Sequence, residues 1–486
     1  MVTLGTNRPA YFNDLADELR LFLDHENEVA EVPFGQPADA VVTLGEENGL
    51  WHAKAEIRLG GQTGKYQWVC PKGEGSPLVI KREEKRAMKI AAFRAMKEIF
   101  GVTPPWGSLT GIRPTRLLRE LMAAEGEEKA LHRMREHFDV SAEKLALAEE
   151  IVAVQRPVLL SQTPMDADVY FGVPFCASRC LYCSFASQVR TAKTDMASYL
   201  NALCKDISLG AEILRQGGRK VRSMYFGGGT PTVLTAEELD RLLDHIMNAY
   251  GGYGAEFTVE AGRPDTITKE KLAVLKKYGA GRVSVNPQSM NEKTLTLIGR
   301  SHTPQEIRAA FYMARDAGFA TINMDVIAGL PGEIPGDMAH TLEEIVKMAP
   351  ENLTVHTLAL KRSSRLAMDP AAYPLPDAEA AAEMVAQGER AARSLGMKPY
   401  YMYRQKYMRG NLENVGYAKP GHVCVYNIDM MEDTTAIMTH GAGAMTKCVY
   451  DAERRVERVP APKEIRVYCE KVEKLAEEKR RLFLEG

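Results

Sequence analysis

Little in this sequence directs the chain to a membrane, a nucleic acid or an oxidising compartment. It has no run approaching the roughly 18 apolar residues of a membrane-spanning helix. Its first residues, "MVTLGTNRPAYFNDLADELRLF", lack the basic stretch and apolar core of a secretory signal. An excess of one charge is missing as well. The 62 Lys and Arg oppose 64 Asp and Glu, so no global field attracts polyanions. Eight cysteines among 486 residues form no regular framework, which excludes a small disulfide-stapled fold and favours a reducing cytoplasm. What remains is an ordinary globular composition, 45% hydrophobic and 26% charged, long enough for two or three domains.

Three of the cysteines crowd into "VYFGVPFCASRCLYCSFAS", residues 169–187, while Cys70, Cys204, Cys424, Cys448 and Cys469 lie far apart. In a reducing compartment a tight cysteine group points to metal or catalysis. The C-x3-C-x2-C spacing of Cys176, Cys180 and Cys183 can wrap three thiolates round one side of a small metal centre. It cannot complete a tetrahedral zinc site without a fourth ligand, for which His422, Cys424 and His440 are candidates. A buried loop with no metal is the other alternative. On a four-iron cluster, three thiolates leave one iron open, and a small chelating cofactor can bind there.

Residues 1–150 read as a separate α+β unit. Two alternating runs, "ADAVVTLG" and "WHAKAEIRLGG", predict strands, and "KREEKRAMKIAAFRAMKEIF" predicts a helix. Two more helices are expected over about 114–137 and 141–156, and "RPVLLSQTPMDA" reads as a linker. From 168 onward the rhythm changes. Six β-like runs, "DVYFGVP", "VRSMYFGGG", "EFTVEAG", "GRVSVNP", "ATINMDVIAGLP" and "NLTVHTLAL", alternate with helical text such as "TAEELDRLLDHIMNAY" and "TPQEIRAAFYMARDAG". That alternation predicts βα units and a parallel sheet, whose chemistry sits at the carboxyl ends of the strands. The first four runs lead into Cys176, Gly227 to Thr230, Glu260, and Asn286 with Gln288, while Asp325 interrupts the apolar fifth. A barrel or part-barrel core over 165–370 is expected. An extension over 371–486, with helices, a Tyr-rich stretch and a Gly-rich turn, is expected to contribute to the substrate side.

"YFGVPFCASRCLYCSF" resembles the cluster loop of radical S-adenosylmethionine (SAM) enzymes. "YFGGGTPT", "EAGRPD", "NPQSMNEKTLTLIGRSHT", "INMDVIAGLPG" and "GYAKPGHVCVYN" follow in order, so the likeness covers about 168–450. On these motifs the chain is similar to the oxygen-independent coproporphyrinogen III oxidase family, and its two extensions most resemble the HemZ-type branch. The resemblance implies an α/β fold: a partial (β/α)6 TIM-type radical SAM barrel with an N-terminal α+β domain and a mainly helical C-terminal extension. It implies a [4Fe–4S] cluster on Cys176, Cys180 and Cys183, whose open iron takes the amino and carboxylate groups of SAM. Gly228, Gly229 and Thr230 match the stretch whose backbone approaches SAM. Glu260 and Asp325 match polar contacts to it, and Tyr170, Tyr182, Gln288, Arg300 and Ala359 match further cofactor positions. The porphyrin family also uses a second SAM, through positions matching Tyr182, Gln288, Arg300 and Asp325, so one molecule or two are implied.

The chemistry implied is radical. An electron from a donor such as flavodoxin or ferredoxin enters the cluster and splits SAM. The resulting radical takes hydrogen from a propionate of coproporphyrinogen III. Loss of carbon dioxide and one electron leaves a vinyl group, and two rounds give protoporphyrinogen IX in an anaerobic setting. A tetracarboxylate needs cations, for which Lys361, Arg362, Arg365, Arg404, Lys406, Arg409, Arg113 and Arg116 are candidates. Tyrosines 400, 401, 403 and 407 line a macrocycle pocket or form a packing stripe. The likeness has departures. Phe185 stands where the family's dehydrogenases carry a fourth cysteine, and "NPQS" and "EAGRPD" are variant text. The related haem chaperones also have an aromatic residue at the Phe185 position, but carry His-Asn where this chain has Tyr426-Asn427. A haem- or tetrapyrrole-binding chaperone, or radical chemistry on another tetrapyrrole, therefore stands beside the decarboxylase.

Overall fold

The computed structural model describes residues 1–23, 28–111, 113–185, 187–361, 363–405, 408–450 and 455–485, except for the side chain of residue 409. The chain falls into two compact units, Met1–Glu149 with Arg404–Tyr407, and Glu150–Tyr403 with Met408–Gly486.

The first unit is built on a five-stranded sheet. Its strands, in spatial order, are Val29–Val32, Val2–Thr6, Ala40–Glu47, Leu50–Leu59 and Gln62–Pro71. Helix Pro77–Phe100 packs on the last two, and the short side chains of Ala87, Ala91, Ala92 and Ala95 on its buried face let it sit close. The two alternating runs read from the sequence are strands, and three further strands join them. Helices Pro114–Glu125, Glu127–His132 and Ala142–Leu160 follow. The segment expected to be a linker is in part helical, because the last of these helices runs through Pro157 to Leu160.

The second unit holds all six β-like runs as neighbouring parallel strands. They are β1 (Asp166–Val173), β2 (Lys220–Gly228), β3 (Glu256–Gly262), β4 (Arg282–Val285), β5 (Thr321–Ala328) and β6 (Asn352–Thr357). Every residue of β4 and all but His356 of β6 are buried, as expected of strands covered on both faces. Helices follow the strands. Thr235 and Thr303 each open one with a reciprocal cap, written in sequence as Thr-x-x-Glu. The C-terminal part is helical over Ala378–Ser394, Val425–Glu432 and Ile465–Leu484, and it also extends the sheet. Strands β7 (Lys398–Tyr403) and β8 (Asn414–Ala418) add to the β6 edge in the order β7-β8-β6. Strands β9 (Ala436–His440), β10 (Met445–Tyr450) and β11 (Arg455–Pro460) add beyond β1, giving eleven strands among the described residues.

Register sets the site. Val173 lies opposite Gly228, and Ala328 opposite Thr357, so the carboxyl ends of the strands finish level at one rim.

A candidate cofactor site at the carboxyl ends of the barrel strands

Past Val173 the chain leaves β1, and Phe175–Cys176 pairs in parallel with Gln188–Val189. That pairing closes the intervening segment into one loop carrying all three clustered cysteines. The loop is seated on the end of β2: Gly229 N donates to Val173 O, and Thr230 N to Phe175 O, each at 2.8 Å. Glycine is obligatory here. Gly228 has φ +112°, and a Cβ on Gly229 would stand 2.4 Å from Phe175 O and 2.9 Å from Cys176 Sγ. Thr230 Oγ1 lies 3.6 Å from Cys176 Sγ. The middle of the loop is tied down by Leu181 N to Ile298 O at 2.9 Å and Leu366 N to Leu181 O at 3.1 Å. Burial pushes the Cys183 thiol up, and the charges of Cys180 and Cys176 add to the rise, so the three sulfurs lie within electrostatic reach of each other.

Two carboxylates face this rim from inside the barrel. Burial raises Glu260 to about 7, although it accepts a 2.5 Å hydrogen bond from Tyr225 Oη. Asp325 behaves oppositely. Burial alone would raise it, but hydrogen bonding and charge from His356 outweigh burial, helped by Asn323 Nδ2 at 2.7 Å, and hold it below the usual range. His356 Nε2 is 3.7 Å from Asp325 Oδ2, and its Nδ1 is 3.3 Å from Tyr403 Oη.

The other predicted residues lie on neighbouring strands or in the segments that follow them. Gln288 follows β4 at φ +66°, a conformation that non-glycine residues seldom adopt. Its backbone is fixed by Gln288 N to Asp325 O at 2.9 Å and Ile327 N to Gln288 O at 3.1 Å. Arg300 is 9% exposed, donating to Asn286 O at 2.7 Å and to Tyr182 Oη at 3.1 Å. Tyr170 stacks on Tyr225 with ring centroids 6.2 Å apart. Ala359 makes an isolated bridge to Met408 just beyond β6.

The cation and tyrosine candidates divide. Lys361 is half-buried in the charge field of Cys183, and Arg365 Nη2 donates to Arg179 O at 2.9 Å, so both adjoin the cysteine loop. Arg404 belongs to the first unit, where its guanidinium lies over Trp106 and donates to Leu109 O. Arg113 and Arg116 also belong to that unit, with Arg116 Nε 2.8 Å from Glu120. Arg362, Lys406, Tyr407 and the side chain of Arg409 lie outside the described residues. Tyr400, Tyr401 and Tyr403 pack among themselves and toward His356.

The distant zinc ligands do not reach the loop. Cys424 Sγ is 3.1 Å from Glu256 Oε1 and His422 Nδ1 is 2.8 Å from Thr321 Oγ1, at the first residues of β3 and β5 and so at the opposite end of the barrel. His440 Nε2 is 2.6 Å from Tyr250 Oη and its ring presses on Gly210 of an outer helix. Sequence reasoning passed over three residues of the site. Tyr225 and His356 carry only a strand position as a signal, and Arg263 was visible only as variant text in "EAGRPD".

Comparison with known proteins identifies the family of the chain. Residues 170–345 match the radical SAM superfamily. Among curated proteins, the chain is 37% identical over 464 residues to the oxygen-independent coproporphyrinogen-III oxidase-like protein HemZ of Bacillus subtilis (strain 168), covering 93% of this chain and 92% of that one. It is 28% identical over 262 residues to the heme chaperone HemW of Escherichia coli (strain K12), covering 54% of this chain and 65% of that one. Among solved structures, coproporphyrinogen III oxidase (HemN) from Escherichia coli shares the fold with a TM-score of 0.53 at 22% identity, over 67% of this chain and 73% of that one. With a HemZ protein matched along nearly its whole length, the chain belongs to the radical SAM superfamily and, within it, to the HemZ-type branch of the oxygen-independent coproporphyrinogen III oxidase family.

Proposed function

We propose that the rim binds a [4Fe–4S] cluster on Cys176, Cys180 and Cys183 with SAM beside it, and that the chain oxidatively decarboxylates coproporphyrinogen III propionates to vinyl groups. Membership of the superfamily implies the cluster and SAM. The residues present fit both. Three soft thiolates share one short loop. No three His, Cys, Asp or Glu side chains among the described residues are grouped to hold a single metal ion. A cubane differs in carrying each thiolate on a different iron. Next to the loop, the backbone of Gly228 and Gly229 is stripped of side chains. Gln288 Oε1, Asn286 Oδ1 and Arg300 Nε are buried with no hydrogen-bond partner among the described residues. Unpaired buried polar atoms are costly, so such a group facing one rim supports a polar ligand. This last observation carries the proposal.

Bound there, the cluster and SAM would supply a 5′-deoxyadenosyl radical able to take hydrogen from a substrate propionate. The chain's own residues do the rest. Asp325, held ionised by His356 and Asn323, accepts from hydroxyl or amino groups of the cofactor. Glu260, raised to about 7, takes a proton or gives one up near neutral pH. Arg300 offers its free Nε to a carboxylate. Lys361 and Arg365 offer positive charge to propionates beside the loop. Buried Leu181, Ile298, Ile327, Leu330 and Leu358 form an apolar cluster that keeps water from this side.

The haem-delivery alternative finds less support. Tyr426, at the position of the chaperones' histidine, is 6% exposed and stacks on Tyr225 with centroids 4.5 Å apart, so it presents no surface ligand. The deciding assay is anaerobic incubation with SAM, a reductant and coproporphyrinogen III. Vinyl product and 5′-deoxyadenosine formed in step are expected. Tight haem binding with no turnover would overturn the decarboxylase reading in favour of a chaperone.

A further inference from the structure

Arg263 sits at this site, and the proposed activity gives it no task. It follows β3 and is 3% exposed, a depth at which a guanidinium must be paired. Its nitrogens are shared between two partners. Nε and Nη2 lie 3.1 and 3.0 Å from the two Asp265 carboxylate oxygens. Nη1 donates to Ser178 O at 3.1 Å and Ser178 Oγ at 2.8 Å, and stands 3.9 Å from Cys180 Sγ. Asp265 is backed by His302 Nδ1 at 3.4 Å. Burial opposes ionisation of Asp265, but His302 and Arg263 outweigh it and hold the carboxyl well below the usual range. Arg300 adds a second positive charge within electrostatic reach of Cys180. The three sulfurs are therefore not equivalent. Cys176 meets the Thr230 hydroxyl, Cys183 is half-buried near Lys361, and Cys180 faces the Arg263 guanidinium.

We propose that Arg263 is a positioning residue that raises the reduction potential of the cluster through Cys180, with Asp265 as the counterweight that limits the effect. The proposal rests on the reading that Cys180 ligates a cluster. Reduction adds negative charge to the cluster and its sulfurs. A positive N–H directed at one sulfur stabilises the reduced form, and a nearby carboxylate offsets part of that stabilisation. The geometry suits this role. One face of the guanidinium is anchored by a two-point contact to Asp265, so Nη1 is fixed toward the loop and cannot swing into solvent. Removing the charge at 263 and removing the charge at 265 should thus move the potential in opposite directions. A purely structural clamp would not do this.

The test uses the full chain, reconstituted anaerobically, as wild type, Arg263→Lys, Arg263→Gln and Asp265→Asn. Iron and sulfide content is measured first. Each loaded protein is then titrated potentiometrically while the signal of the reduced cluster is followed by electron paramagnetic resonance. A wild type that binds no cluster overturns the underlying reading, whereas midpoints in loaded variants bear on Arg263 alone. For Arg263→Gln the reduction equilibrium should fall about tenfold, ~59 mV for a one-electron couple. Arg263→Lys should keep most of the wild-type value, and Asp265→Asn should move the midpoint upward. Unmoved midpoints in both Gln and Asn variants, or a shift of both in the same direction, overturn the proposal. If Arg263→Gln fails to hold a cluster, Asp265→Asn decides. A raised midpoint supports the proposal, and an unmoved or lowered one overturns it.

Discussion

Glu260 is the residue whose environment makes the clearest thermodynamic claim. Its folded value of about 7 lies above the ordinary 4.5, so the folded chain holds a proton that the unfolded chain releases. The stability contributed by that proton is present below about pH 4.5 and is lost as pH rises through about 7. In urea titrations of the cofactor-free chain, wild type should lose stability relative to Glu260→Gln between about pH 5 and about pH 8. Asp168, raised to about 6, titrates in the same window in both proteins, so the difference between them isolates Glu260. The sequence marked Glu260 by its place toward a strand end and Asp325 as a charge interrupting an apolar strand. It could not show that they titrate in opposite senses. Burial outweighs the Tyr225 hydrogen bond at Glu260, whereas His356 outweighs burial at Asp325, and both Tyr225 and His356 lie dozens of residues from the carboxylate they touch, brought close only by strand register. Arg263 was hidden for the same reason, since its partner Ser178 lies 85 positions away.

At the scale of elements, the turn after β2 is the most constrained piece of backbone near the site. Gly229→Ala places a methyl group against Phe175 O and Cys176 Sγ, neither of which is a flexible side-chain tip. The substitution should cost about 1–3 kcal/mol, as overpacking does. It should also reduce the iron taken up on reconstitution, which colorimetric iron analysis would show. Iron uptake equal to wild type would mean that the close approach is not needed. The six barrel strands were legible because strands covered on both faces leave long apolar runs. The strand Gln62–Pro71 was not, because much of its length is exposed and polar residues are scattered through its text. Val2–Thr6 and Val29–Val32 are too short to show a period. The proline at 157 reads as a break, yet it removes only one backbone donor and the helix continues for three more residues.

In the larger unit, a buried polar lock ties the last helix to the barrel. Lys479 Nζ lies 2.6 Å from Asp206 Oδ1 and 2.6 Å from Thr439 O, and Tyr468 Oη donates to Asp206 Oδ2 at 2.8 Å. Lys479 and Asp206 are 1% and 0% exposed, so Lys479→Met strands a buried carboxylate and should cost about 3–5 kcal/mol. Chemical denaturation would read that loss. Adding Asp206→Leu should recover much of it, because no unpaired charge then remains. The whole account rests on the rim above this scaffold, where one loop, one glycine turn and a ring of unpaired polar atoms meet. The most direct test compares anaerobically reconstituted wild type with the Cys176→Ser/Cys180→Ser/Cys183→Ser variant, each supplied with SAM and reductant. Wild type should show a four-iron cluster spectrum and release 5′-deoxyadenosine with methionine, and the variant should do neither. A wild type without the cluster, or a variant that keeps it, would contradict the account.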